Sequence, residues 1–395
     1  MMNGNHHIVV LGAGYSGMMA TARLARRLRR TDARITLVNP SASFTERLRL
    51  HQIAAGQRLT DFRIPEVLTG TGVTFVAGTA TAIDPGTRTV DIDDGTEALR
   101  YDTLVYALGS HPDTGKVPGA DVHGFTLDSP ETASRLAARL RDLEASGGTV
   151  TVCGGGLTGI EAATEIAETF PRLDVTLLSH DKPGAMMGAK ARAHLRRALD
   201  RLGVTVRSGV RVTKVLPNSV ELEDGRNVPS DVCLWTAGVS VSPLAKDAGI
   251  ATDRRGLVLV DATLRSVSHP DIHAIGDAAA IRLAWGQIHG TCQSGIPAGQ
   301  YTADTIARLL RGKRVKPFRY GYFHQPVSLG RRDAVIQFTH ADDTPRRAYL
   351  KGRSAVFYKE RLVSSTPLKT YRLHRYMYVT GTLSKGGRAT RKPAV

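Results

Sequence analysis

Two glycine-rich turns, each set between an apolar strand and a helix, constrain this 395-residue chain more than any other feature. The first follows an apolar strand at His7–Leu11 and reads Gly12-Ala13-Gly14-Tyr15-Ser16-Gly17. A helix rich in Ala, Leu and Arg then runs to about Arg30, and a strand at Arg34–Asn39 closes a βαβ unit. The pattern returns about 140 residues later: a strand at Thr149–Cys153, then Gly154-Gly155-Gly156-Leu157-Thr158-Gly159, a helix from Ile160 to about Phe170, and a strand at Asp174–Ser179. In such a turn the first glycine makes the tight bend, the second lets a pyrophosphate approach the backbone, and the third lets helix and strand pack closely. The helix N-terminus adds unpaired N–H groups and partial positive charge. One such match is a weak signal; two in βαβ context imply two dinucleotide sites. The fold class expected is α/β, with two Rossmann-like domains.

The length exceeds one ordinary core, so two or three domains are expected. Apolar residues make up 42% and charged residues 23%, as in folded globular proteins. No run of about 18 uncharged apolar residues occurs, so no membrane-spanning helix is expected. No signal-peptide pattern opens the chain, and the three cysteines form neither a CxxC nor a disulfide framework. A reducing cytoplasm is the expected compartment. No His or Cys spacing suits a metal, so none is expected. The net charge of +17 is uneven: Gly312–Val395 holds 19 Lys and Arg against 4 Asp and Glu. Such a segment is either a solvated basic surface or a patch that meets an anionic membrane face, an acidic protein or nucleic acid.

Three further stretches accompany the glycine turns. Tyr101–Ser110 (YDTLVYALGS) and Asp231–Val239 (DVCLWTAGV) are matching apolar strands that end near Gly109 and Gly238, and His269–Asp277 ends in Gly276-Asp277. The ordered set GAGYSG, YALGS, GGGLTGIE, TAG and AIGD resembles the pyridine-nucleotide flavoprotein oxidoreductases. Within them the chain is most similar to type II NADH:quinone oxidoreductases and the ferroptosis-suppressor branch of apoptosis-inducing-factor-like proteins. The likeness covers essentially the whole chain and extends to Ser328–Ala334 and Ser365–Arg372.

The resemblance implies an FAD domain at 1–115 and 250–314, an NAD(P)H domain at 116–249 inserted in it, and a small C-terminal α+β domain at 315–395. Gly12, Gly14, Ser16, Gly17, Asn39, Gly109, Gly276 and Asp277 would hold FAD, with Asp277 on the ribityl chain. Gly154, Gly156, Gly159, His180 and Gly238 would hold NADH or NADPH. Hydride would pass from nicotinamide to flavin, and electrons from there to a small quinone-like acceptor. Glu161 matches a glutamate that lies near the nicotinamide. Without the resemblance it reads equally well as a first-turn glutamate favoured by the helix dipole.

Some positions depart from the pattern. Asn39 stands where an acid would meet the ribose. The second unit ends in Ser179-His180-Asp181-Lys182, with no acid at the strand end to repel a 2′-phosphate, so the choice between NADH and NADPH stays open. The stretch Ser43–Gly56 lacks the cysteines of disulfide reductases. Cys292 is read as packing. Gln293 fits a family glutamine under the flavin, but Pro297 and Ala298 replace others. His51 and Gln52 are candidates for the acceptor pocket, and Lys359 matches a tail lysine near the flavin.

In the last segment Val335–Thr339, Arg347–Leu350 and Ser354–Tyr358 alternate like strands, and Thr366–Val379 suits a helix. Its Lys369, Arg372 and Arg375, with Tyr371, Tyr376 and Tyr378, suit a membrane interface. Gly381–Val395 reads as a disordered basic tail. Three functions follow: a quinone-type reductase, a reductase of an acidic carrier such as a ferredoxin, and a binding module whose tail contacts nucleic acid, which ranks last. Peripheral attachment to the inner membrane face and a homodimer are left open.

Overall fold

The computed structural model describes residues 6–373 and 385–390. Strand β1 (His7–Leu11) is buried along its whole length, as a near-continuous apolar run in a parallel sheet covered on both faces must be. Helix α1 (Tyr15–Leu28) starts at Gly14 and packs Met18, Met19, Leu24 and Leu28 into the core. Strand β2 (Arg34–Asn39) pairs with β1, helix α2 (Leu50–Ala54) follows, and β3 (Val73–Ala77) pairs with β2. Strand β4 (Thr103–Tyr106) lies on the other side of β1.

The second sheet repeats this plan. It comprises β5 (Gly124–Phe125), β6 (Gly148–Cys153), then, across helix α3 (Leu157–Thr169), β7 (Leu173–Ser179), β8 (Thr205–Ser208) and β9 (Val232–Trp235). The order is β5-β9-β6-β7-β8, parallel throughout. Its core gathers Val150, Val152, Ile160, Ile166 and Leu177. The two segments that join the domains run side by side, His111–Pro112 pairing antiparallel with Val239–Ser240. Strand β10 (Ile272–Ala274) then pairs with β4 and completes the first sheet in the order β10-β4-β1-β2-β3. The second Rossmann-like domain is thus inserted in the first. Helix α4 (Cys292–Leu309) lies across α1, where Asp304 pairs with Arg23 at 2.8 Å and Arg27 at 2.6 Å. The helices approach so closely that a Cβ on Gly299 would stand 2.3 Å from the Ser16 carbonyl oxygen.

The C-terminal part is an antiparallel sheet of β11 (His324–Ser328), β12 (Ala334–Thr339) and β13 (Pro345–Lys351). The last two contain the strands expected there. The strand expected at Ser354–Tyr358 is helical instead. Gly352, at φ +64°, turns the chain out of the sheet into α5 (Gly352–Phe357), and Ala355 packs on Ala334 and Ile336. A wide π-turn, Tyr358–Ser364, leads into α6 (Ser365–Leu373). The expected helix continues to Val379, and its part beyond Leu373 lies outside the described residues. Tyr371 is not at a surface: it is fully buried beside Phe44 and Phe62, and its hydroxyl donates to the Tyr15 carbonyl at 2.9 Å. Within the tail expected to be disordered, Gly387–Thr390 forms a turn because Arg319 donates to the Gly387 carbonyl at 2.6 Å and to Thr390 Oγ1 at 3.1 Å. Residues 381–384 and 391–395 of that tail lie outside the described residues.

Candidate active site

The glycines of the first turn divide by role. Gly12 has φ +94°, and a Cβ there would lie 2.5 Å from the Ala107 carbonyl oxygen; one on Gly17 would lie 1.8 Å from that of Gly12. Those two are packing positions. A Cβ on Gly14 would meet nothing within 4 Å, because that space opens above the α1 N-terminus. The second turn behaves alike. Gly154 has φ +123°, a Cβ on Gly159 would lie 1.8 Å from the Gly154 carbonyl oxygen, and one on Gly156 would face open space. Neither α1 nor α3 carries an acid in its first turn, so nothing offsets the positive helix end. These cradles fit the phosphates of two dinucleotides.

Around the first cradle, Asn39 Oδ1 accepts from the Ala13 N–H at 2.9 Å, holding the turn in shape. Asp277 Oδ2 accepts from the Ser110 hydroxyl at 2.7 Å. Ser16 Oγ fills the space beside Gly276 and Gly295. Gly109 and Gly238 both take positive φ where their strands leave the sheets. Around the second, Ser179 is the counterpart of Asn39, since Leu11 pairs with Val38 as Cys153 pairs with Leu178. His180 is largely exposed, 3.4 Å from Asp181, and does not line the cleft.

Both turns border one cleft of about 1040 Å³, enough for extended ligands. It runs from Gly14 and Asn39 past Thr158 and Glu161 to Leu362, Val363 and Pro367. At its centre, Glu161 Oε1 contacts the ammonium of Lys359 and accepts from the Ser328 N–H at 3.0 Å. Glu161 Oε2 lies 3.8 Å from His51 Nδ1. All three side chains are buried. Burial lowers Lys359 from 10.5 to about 7. Burial, then the charges of Lys359, Arg331 and Arg49, hold His51 well below its usual value and therefore neutral. Burial likewise lowers the cleft-lining His324, bonded to the Tyr358 hydroxyl, to about 4. Burial pushes the Cys292 thiol up to about 12.

The structure thus brings Glu161, Lys359 and His51 together. It does not do so for two other candidates. Gln52 is fully buried and turns away from the cleft: its Oε1 accepts from Arg49 Nε at 3.0 Å and its amide donates to Glu360 at 3.3 Å. Gln293 lines the cleft, but its amide is used on backbone, donating to the His324 carbonyl at 2.8 Å and accepting from the Phe323 N–H at 3.0 Å. It clips β11 to α4, which leaves one amide hydrogen and one oxygen lone pair towards the cleft. The sequence reading missed a polar network behind the pair, made of Glu165, Gln57, Arg331 and Glu360. Its one legible signal was the spacing of Glu161 and Glu165, four residues apart on one helix face.

Two glycine turns aimed at a common cleft across an inserted domain define a flavoprotein that takes electrons from a pyridine nucleotide. The chain belongs to the pyridine nucleotide-disulphide oxidoreductase family, whose model matches residues 6–299. It is 33% identical over 349 residues to an NADH dehydrogenase-like protein of Mycobacterium tuberculosis, covering 83% of this chain and 86% of that one. It is 29% identical over 353 residues to a demethylphylloquinone reductase of Synechocystis, covering 85% and 87%. Among solved structures, the sulfide:quinone oxidoreductase of Aquifex aeolicus superposes with a TM-score of 0.80 at 20% identity, over 93% of this chain and 91% of that one. The chain is an oxidoreductase that uses FAD and NADH. Its three cysteines are all free: Cys153 and Cys233 meet as thiols 3.7 Å apart inside the second domain, and Cys292 stands apart from them.

Proposed function

We propose that this chain reduces a quinone with NADH across a flavin held in the central cleft. The observation that carries this reading is the buried Glu161–Lys359 pair, which lines the cleft that both turns border and that continues to an apolar mouth. Gly12, Gly14, Asn39, Ser110 and Asp277 would hold FAD, which when bound takes a hydride from the nicotinamide and passes electrons to the acceptor. The second turn would orient NADH through the α3 N-terminus. Reduction of a quinone to hydroquinone ends with a proton on each oxygen. Lys359, lowered to about 7, exchanges protons near neutral pH. Glu161, itself fixed by the Ser328 N–H, holds that ammonium in place. Relatives named as a demethylphylloquinone reductase and as type II NADH:quinone oxidoreductases support the acceptor class.

The test is steady-state turnover on soluble quinones and on a ferredoxin, each with NADH and with NADPH. Quinone turnover is expected to exceed ferredoxin turnover; the reverse would overturn the reading in favour of a protein carrier. Because Ser179 replaces the strand-end acid, NADPH is expected to give a kcat/KM within about tenfold of NADH, a gap of ~1.4 kcal/mol. Ser179→Glu should restore strong preference for NADH.

The C-terminal segment supports attachment to an anionic surface. Among the described residues no helix is long and apolar enough to cross a membrane. Phe357 and Leu362 are 63% and 53% exposed, with Arg353, Arg361 and Lys369 also exposed on the same segment, and Leu362 borders the cleft mouth. A patch of this kind reads as an interfacial contact. The protein is expected to sediment with phosphatidylglycerol vesicles and not with phosphatidylcholine vesicles, and to detach in high salt. Equal binding to both would leave the cations without a role.

A further inference from the structure

Reduction of a quinone by NADH consumes one proton from solvent: quinone, NADH and H+ give hydroquinone and NAD+. The Glu161–Lys359 pair has poor access to that proton. Lys359 is 3% exposed, and the cleft in front of it is the space of the reactants.

One turn along α3 from Glu161 stands Glu165, fully buried. Four residues of helix put their Cα atoms ~6 Å apart and their side chains on one face. Glu165 Oε1 accepts from Gln57 Nε2 at 2.5 Å and lies 3.6 Å from Arg331 Nε. Its Oε2 has no hydrogen-bond partner among the described residues. A buried carboxylate oxygen without a donor is costly, whereas a carboxylic acid carries a donor of its own. On the outer side, Arg331 pairs with Glu360 at 3.0 Å; both are partly exposed and connect Glu165 to solvent. The charged groups facing it are Arg331 from the turn after β11, Glu168 from its own helix, and Glu360 from the π-turn. Beyond Glu161 stand His51 on α2 and Lys359 on the π-turn.

We propose that Glu165 carries protons from solvent to the Glu161–Lys359 pair, receiving each one on the Arg331–Glu360 side and releasing it along α3 towards Glu161. The step moves no electrons. The O–H bond of Glu165 breaks, its proton passes by way of Glu161 to the Lys359 amine, and the Glu165 carboxylate is reprotonated from solvent. The proposal rests on the reading of Glu161 and Lys359 as the pair that protonates the acceptor. Burial, opposed first by Arg331, raises the Glu165 carboxyl from 4.5 to about 7, so it exchanges protons where the enzyme would work. The supply is full below that value and fails as pH rises through it.

The test compares FAD-loaded wild type, Glu165→Gln and Glu165→Asp on a soluble quinone and on ferricyanide, which takes electrons without protons. At about pH 6 the ratio of quinone to ferricyanide turnover is expected to fall about tenfold in Glu165→Gln. In the wild type that ratio should decline as pH rises through about 7. In Glu165→Gln the decline should be shallower, set by Lys359 alone, and in Glu165→Asp its full extent should return. An independent readout is infrared titration of the apo-protein. A protonated-carboxyl C=O band is expected to disappear near pH 7 in the wild type and to be missing in Glu165→Gln. Equal losses with both acceptors, or an unchanged infrared band in Glu165→Gln, would overturn the proposal. A wild type that reduces ferricyanide but no quinone would instead overturn the reading beneath it.

Discussion

Replacing Lys359 with methionine is expected to lower quinone turnover by about 100-fold or more, the usual scale for loss of a positioned acid. Methionine fills the volume of the lysine stem and removes only the ammonium. What remains at the site is a Glu161 carboxylate with the Ser328 N–H at 3.0 Å and a neutral His51 at 3.8 Å. Removing one member of a buried ion pair leaves the other charge uncompensated, at a cost of about 3–5 kcal/mol. The melting midpoint should therefore fall together with turnover. Adding Glu161→Gln to Lys359→Met removes the stranded charge, so it should restore most of the melting midpoint and none of the turnover. That split separates chemistry from packing. Turnover in Lys359→Met within twofold of the wild type, with a quinone as acceptor, would dismiss the pair as the proton source.

The second large effect concerns the two open glycines. Gly14→Ala is expected to give a folded protein that binds no flavin. Gly156→Ala is expected to give a yellow protein whose KM for NADH rises about 100-fold, or ~2.7 kcal/mol. Both positions have extended backbone that alanine adopts freely, with φ −69° and −72°, and neither added methyl would touch protein within 4 Å. The methyl would occupy only the space through which a pyrophosphate approaches. Far-ultraviolet circular dichroism should match the wild type in both variants. Gly17→Ala and Gly159→Ala serve as contrasts, because their methyl groups would collide with backbone at 1.8 Å and disturb the fold itself. Unaltered flavin affinity in Gly14→Ala would mean that this turn cradles no phosphate.

Much of this architecture was legible because the signals are local. A strand, a glycine turn and a helix are contiguous, and physics requires glycine at those positions whatever the rest of the chain does. Strand β10 was recognisable from its Gly-Asp ending. The proposed catalytic pair was not legible in that way. Glu161 and Lys359 lie 198 residues apart, and no periodicity links them; only the resemblance brought Lys359 into view. The direction of a polar side chain was equally hidden. Gln52 and Gln293 read as free ligands, yet Gln52 meets Arg49 and Glu360, and Gln293 meets backbone supplied by distant elements. In Ser354–Tyr358 the alternation fits a strand, and Gly352 at positive φ overrides it. Tyr371 looked like an interface residue because its neighbours are basic. Its burial is decided by Phe44 and Phe62, more than 300 positions earlier in the chain.

The late return of β10 sets an order of events during synthesis. Until residues 272–274 leave the ribosome, β4 ends the first sheet with a bare edge of unpaired amides and carbonyls. Asp277 and α4, which close over the first turn, emerge later still. The inserted domain has all its strands by Trp235 and is complete in sequence well before its host. Flavin capture is therefore expected to wait for this return, and a ribosome stalled before residue 272 would carry a nucleotide-binding module attached to an unsealed half-sheet.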